Sequence, residues 1–110
     1  MTNATTTEMK FANHYGWSDV NPYEIVRVIS GKTLEVRKMQ AERDKSWKPD
    51  FVPGGFFGTV VNQDQQRWKI TSDLTSPVIR IRLGKDGWKD RHGNRFGLAA
   101  EPHKFYDYNF

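Results

Sequence analysis

The amino-acid sequence predicts a single mostly-β domain: a small barrel or sandwich, SH3-like or OB-like in size, of about six or seven short strands with at most one short helix. Three observations carry that expectation. Runs rich in Val, Ile, Thr and aromatic residues recur along the chain; turn sequences separate them at intervals of about eight to twelve residues; and no stretch sustains a helical period. The length of 110 residues suits one core and not two. Hydrophobic residues make up 36% of the chain and aromatic ones 14%, so rings rather than the few leucines are expected to fill much of that core.

In chain order, residues 1–12 read as a flexible N-terminal arm, polar and without periodicity, and residues 13–110 as the β domain. The domain is expected to start near His14-Tyr15-Gly16-Trp17, with a turn at Ser18-Asp19-Val20-Asn21-Pro22, where Asp and Asn bond back to their own backbone and Pro extends the residue before it. Tyr23 to Ile29 and Thr33 to Met39, joined by Ser30-Gly31-Lys32, have the form of a β-hairpin, with Glu24, Arg27, Glu35 and Arg37 placed for exposed cross-strand ion pairs. Gln40 to Lys48 reads as a loop or one helical turn. Pro49 to Gly55, with two prolines and a Gly-Gly pair, reads as a shaped loop without regular structure. Strands are expected at Phe56 to Asn62, Arg67 to Ser72, Val78 to Leu83, Trp88-Lys89 and Arg95 to Leu98. The aromatic tail, with Tyr106, Tyr108 and Phe110 on one side, reads as a last strand.

The strongest chemical signal comes from strand alternation. In Val78-Ile79-Arg80-Ile81-Arg82-Leu83 the aliphatic residues share one face, so Arg80 and Arg82 stand together on the other. Trp68 and Ile70 facing inward would likewise put Arg67 and Lys69 out. Pairing of these two strands as a hairpin would gather Arg67, Lys69, Arg80 and Arg82 on one basic face without an acid, a natural seat for an anion and for phosphate above all. The same side chains also make a plain solvated surface, balanced by loop acids such as Asp64 and Asp73. Charge along the chain favours this half: residues 1–66 carry eight basic and eight acidic side chains, residues 67–110 nine basic and five acidic. Trp47, Phe51, Phe56, Phe57 and Trp88 are rings near that face, with Trp88 and Phe56 placed to stack a base.

Several chemistries are set aside. The sequence has no cysteine, which removes disulfides, thiolate zinc sites and cysteine nucleophiles. His14, His92 and His103 lack metal-site spacing, Asp86 to Asp90 lacks the EF-hand pattern, and Gly54-Gly55-Phe56-Phe57-Gly58 is neither a P-loop nor a Rossmann turn. No serine-hydrolase elbow occurs. The expectation is therefore a non-enzyme without metal or cofactor. Met1 to Met9 is polar and Thr-rich and no long apolar run follows, so neither an export signal nor a membrane segment is expected, and the location is read as cytoplasmic.

Asp19 to Ile29, Trp47-Lys48-Pro49, Pro53-Gly54-Gly55-Phe56, Pro77 to Leu83 and Phe105 to Phe110 together resemble a group of small uncharacterised proteins carried by bacteriophages and plasmids. The resemblance implies a bacterial host cell and a mobile-element protein, with antagonism of host defence as a sponge for a signalling nucleotide among the expectations. The first expectation is thus capture of an anionic nucleotide or other phosphate-bearing ligand by a homo-oligomer, through Arg80, Arg82, Arg67, Lys69, Trp88 and Phe56. The alternative is a small-barrel nucleic-acid-binding module, or a blocker of a host defence protein.

Overall fold

The computed structural model describes residues 9–52, 59–60 and 62–107. Eleven strands are present among them: β1 (Phe11–Tyr15), β2 (Val20–Asn21), β3 (Tyr23–Ser30), β4 (Thr33–Lys38), β5 (Gln40–Arg43), β6 (Phe51–Val52), β7 (Thr59–Val60), β8 (Trp68–Thr71), β9 (Val78–Gly84), β10 (Gly87–Lys89) and β11 (Arg95–Ala99). A single 3-10 turn, Gln63–Gln65, precedes β8. No helix among the described residues is long and apolar enough to cross a membrane.

The strands β1, β3, β4, β9, β10 and β11 close into a six-stranded antiparallel barrel, with β11 returning to β1 over five residue pairs. Strand β2 is the extra strand, and Pro22 explains its separation. The pairs His14 with Asn21, Tyr15 with Val20 and Phe11 with Glu24 belong to one register, so β2 and β3 are one pairing edge interrupted where Pro22 has no N–H to donate. The carbonyl of Pro22 instead accepts from the Met39 amide at 2.9 Å.

The expected β3–β4 hairpin is present, with two irregularities in its register. The pairing shifts once between Ile25 and Arg27 and again between Val28 and Ser30, leaving Val26 and Ile29 as bulged, exposed residues. Each shift resets which side chains face inward, and the bends help the short strands curl round to closure. Ala12, Leu34, Val36, Ile81 and Phe96 form the core, with Tyr23, Ile25, Ile79, Trp88 and Leu98 packed against it. Four of these five core residues are aliphatic, and the fifth, Phe96, meets the rings of Tyr23 and His14 edge-on or tilted, with His14 and Tyr23 also edge-on to each other.

Outside the barrel lie two small sheets, β5 with β8 and β6 with β7. Both alter the expected element list: Gln40–Arg43 is a strand rather than a loop or helical turn, and Phe51–Val52 is a strand inside the segment expected to lack regular structure. Backbone pairing drives each, since β5 and β8 match four residue pairs and β6 and β7 two. The ordered domain also begins earlier than residue 13. Phe11 and Ala12 lie in β1, Ala12 is fully buried, and the Lys10 carbonyl accepts from the Ile25 amide at 2.9 Å.

The C-terminal segment crosses the outside of β1 and β2. Asn13 points outward yet is 2% exposed, because its side chain donates to the Glu101 carbonyl and accepts from the His103 amide. Further along, Phe105 and Val20 exchange backbone hydrogen bonds of 2.9 Å, and the Gln66 side chain holds both backbone groups of Tyr106. Of the expected last strand, the described residues form an isolated bridge at Phe105; Tyr108 and Phe110 lie outside the described residues.

Candidate functional site: a basic row on the barrel wall

The alternation in β9 holds: Ile81 is fully buried and Ile79 packs on the core, while Arg80 and Arg82 are exposed. Their neighbours differ from the expected ones. Strand β9 pairs with β4 on one side and β10 on the other, not with β8. Lys69 sits on β8 opposite Glu42 of β5, in the separate small sheet. Arg67 lines a polar hollow of about 510 Å³ with Trp47, Gln66 and Asp64. Arg67 and Lys69 therefore do not join Arg80 and Arg82. The chain prefers the distant β4 because Leu34 and Val36 meet Ile81 and Ile79 across it, which places four aliphatic residues in the barrel interior.

The same pairing brings an acid to the face that was expected to hold none. Glu35 lies directly opposite Arg80 and bonds its guanidinium at 3.2 Å, with Arg27 on the far side at 4.0 Å. One row further along, the acid disappears. Tyr15, Arg95, Lys89, Arg82, Thr33 and Ser30 are successive cross-strand partners around β1, β11, β10, β9, β4 and β3. Three cations thus stand on three adjacent strands, whose backbones lie about 4.8 Å apart. Among the described residues, Lys89 has one acidic partner, Asp86 at 3.7 Å, while Arg82 and Arg95 have none.

A cleft of about 850 Å³ runs along β9, the β9–β10 turn and the β10–β11 loop. Arg80, Arg82, Lys85, Lys89, Arg91 and His92 line it, against only Asp86 and Asp90. Gly87 adopts φ +105° and Gly93 φ +84°, left-handed values that other residues rarely take, and so permit the two tight turns that frame the cleft. Asp90 is committed to shaping its loop. One carboxylate oxygen accepts from the backbone amides of His92 and Asn94, both at 2.9 Å, and the other from the Asn94 side chain at 2.8 Å. Partial burial tends to raise its carboxyl pKa, but these hydrogen bonds outweigh it and hold the group below the ordinary carboxylate range. The loop acid is a fixed brace, and the cations beside it face solvent.

The aromatic candidates divide. Trp88 faces Leu83 and Phe96 and packs on the core, so it is not a stacking surface, and Trp47 is buried. The Phe51 side chain, Phe56 and Phe57 lie outside the described residues. Among the described residues the exposed rings are others: Tyr106 at 46% on the C-terminal segment, and Tyr15 at 48% with Trp17 at 92% at the end of β1. The signal of the latter two in the sequence is position, since Tyr15-Gly16-Trp17-Ser18-Asp19 ends a strand on a turn where a ring finds little to pack against.

Two further groups respond to burial without joining the row. His14 has its imidazole pKa lowered chiefly by burial between Tyr23 and Phe96, against the opposing pull of Asp90 and Asn94. Lys104 is lowered mainly by burial while Asp19 works to raise it; its ammonium donates to Asn21 at 2.6 Å and lies 5.5 Å from the Trp68 ring centroid. No cluster of three metal-ligating side chains forms among the described residues. No protein-family model, curated protein or solved structure matches this chain.

Proposed function

We propose that this chain is a binding protein that captures a phosphate-bearing ligand, a nucleotide being the first choice, in the cleft beside β9. The carrying observation is the excess of cations there: Arg82, Lys85 and Arg91 make no ion pair with a described residue, and Arg80 shares its one carboxylate with Arg27. Guanidinium groups offer paired donors to phosphate oxygens, and such charge-assisted hydrogen bonds are about twice as strong as neutral ones. The size supports the reading, since small-molecule sites commonly enclose about 300–1,000 Å³. The resemblance to mobile-element proteins makes a host signalling nucleotide a reasonable member of the class to be tested.

A thermal-shift screen of nucleoside mono- and triphosphates, cyclic dinucleotides and inorganic pyrophosphate tests this. A ligand at a hundredfold excess over its Kd stabilises the folded state by about 2.7 kcal/mol, which for a domain of this length raises Tm by about 10 °C. At least one phosphate compound is expected to produce such a shift, and to lose most of it when salt is raised from about 0.05 to 0.2 M. A flat response across the whole panel contradicts the proposal.

A further inference from the structure

Two large rings and one cation near the cleft take no part in the ligand site above. Arg95 continues the cationic row beyond it, one strand past Lys89, and Tyr15 follows directly opposite Arg95 on β1. The Tyr15 ring lies over Gly97 on the outer wall: a Cβ built at Gly97 would stand 2.7 Å from Tyr15 Cε2. Glycine at position 97 therefore gives the ring a seat on the sheet surface, with about half of the residue still open to solvent. Two residues on, Trp17 occupies the turn closed by the Gly16 amide to Asp19 carbonyl hydrogen bond at 2.9 Å, and is 92% exposed. An indole left almost wholly in water at the end of a cationic row invites a partner with both charge and π-faces.

We infer that single-stranded nucleic acid lies across this wall, its phosphates on Arg82, Lys89 and Arg95 and its bases on Tyr15 and Trp17. The inference rests on the anion-site reading and deepens it by naming a polymer as the ligand. Reach favours a polymer over one nucleotide: Arg82 and Tyr15 are three strand spacings apart, about 14 Å, and Trp17 follows Tyr15 by two residues in the turn after β1. Exposed rings favour a single strand over a duplex, because only unpaired bases can leave their own stack and lie on a protein ring. Among the described residues one acid touches the row, Asp86 at 3.7 Å from Lys89 on the β9–β10 turn, while Glu35 belongs to the next row and Arg82 and Arg95 have no acidic partner.

The test uses the full chain and a fluorescein-labelled oligothymidine and its oligouridine counterpart of about 10 nucleotides, within the span one small barrel occupies. Anisotropy reads their affinity, and calorimetry reads that of inorganic pyrophosphate. Trp17→Ala is expected to weaken the oligonucleotides about five- to hundredfold, the usual worth of one stacked base, and to leave pyrophosphate unchanged. Arg95→Ala is expected to flatten the salt dependence, lowering the slope of log K against log salt by about 0.7. Gly97→Ala serves as a positioning variant: it displaces the Tyr15 ring and is expected to weaken oligonucleotide without moving pyrophosphate. Oligonucleotide affinity indifferent to Trp17 and Arg95, a preference for duplex, or equal displacement by polyglutamate overturns the inference while pyrophosphate binding keeps the anion site. Failure of both ligands overturns both.

Discussion

Replacing Arg80 and Arg82 together with alanine separates a surface site from a structural one, because the two arginines contribute almost nothing to the fold as it is built. Arg80 makes one ion pair, to Glu35 at 3.2 Å, with its own side chain 48% exposed; Glu35 keeps Arg27 at 4.0 Å when Arg80 is gone. An exposed pair of this kind is worth about 0.2–1 kcal/mol after solvent screening. Arg82 has no acidic partner among the described residues and stands directly opposite Lys89, so its removal relieves a like-charge contact and returns a few tenths of a kcal/mol, on the order of what such opposition costs. The net loss is below about 1 kcal/mol, or less than about 5 °C in Tm for a chain of this length. Binding behaves otherwise: losing two charge-assisted contacts at about 1.5–3 kcal/mol each weakens pyrophosphate at least a hundredfold. Differential scanning calorimetry and titration calorimetry on one preparation give both numbers. A fall in Tm above about 10 °C refutes the surface assignment, and an unchanged pyrophosphate affinity removes the arginines from the site.

Ile81→Ala empties the centre of the barrel, where the fully buried side chain stands across from Leu34 in one cluster with Ala12, Val36 and Phe96, and is expected to cost about 2–5 kcal/mol in urea unfolding. Asn13→Ala leaves the Glu101 carbonyl and His103 amide without their partner, so hydrogen exchange at Phe105 and Val20 is expected to quicken by at least tenfold while the β4–β9 amides stay protected. The lowered pKa of His14 means that the folded state favours the neutral ring: its contribution is complete above the unfolded value of about 6.5 and is lost as pH falls through the lower folded value. Denaturant midpoints are expected to drop as pH falls below about 6.5, and His14→Gln to flatten that decline; an equal decline in the variant would assign it to another group. Below about pH 4 a second decline is expected from Glu24, where burial raises the pKa but hydrogen bonds from Ser72 and Arg37 overcome it, so Glu24→Gln should soften that limb in the same measurement.

Much of the architecture was legible because β strands declare themselves locally. The alternation of Ile79, Ile81 and Leu83 with Arg80 and Arg82 orients β9 correctly whatever its partners are, and the Ser30-Gly31-Lys32 turn identifies the β3–β4 hairpin. Strand partners are a different matter. Proximity in sequence pointed β9 to β8, yet the barrel closes only when β9 joins β4, across the 45 residues that separate Glu35 from Arg80. That choice depends on burying Leu34, Val36, Ile79 and Ile81 together, which no local pattern encodes. The site moved with it: Arg67 and Lys69 left, Glu35 entered, and Lys89, Arg91 and Arg95 arrived from turns and strands too short to show a pattern of their own. Strand β5 was hidden because Gln40, Glu42 and Arg43 are polar and only pairing with β8 makes them a strand. The exposure of Tyr15 and Trp17 was missed because an aromatic residue in a leucine-poor chain reads first as core.

The account stands on the outer wall of β9, β10 and β11 being the surface that meets phosphate. Backbone amide NMR of the full chain, titrated with inorganic pyrophosphate, tests it residue by residue. Shifts concentrated at Arg80, Arg82, Lys89 and Arg91 are the predicted result. Shifts that leave those amides still and gather at Arg43, Arg67 and Lys69 on the small outer sheet would contradict it.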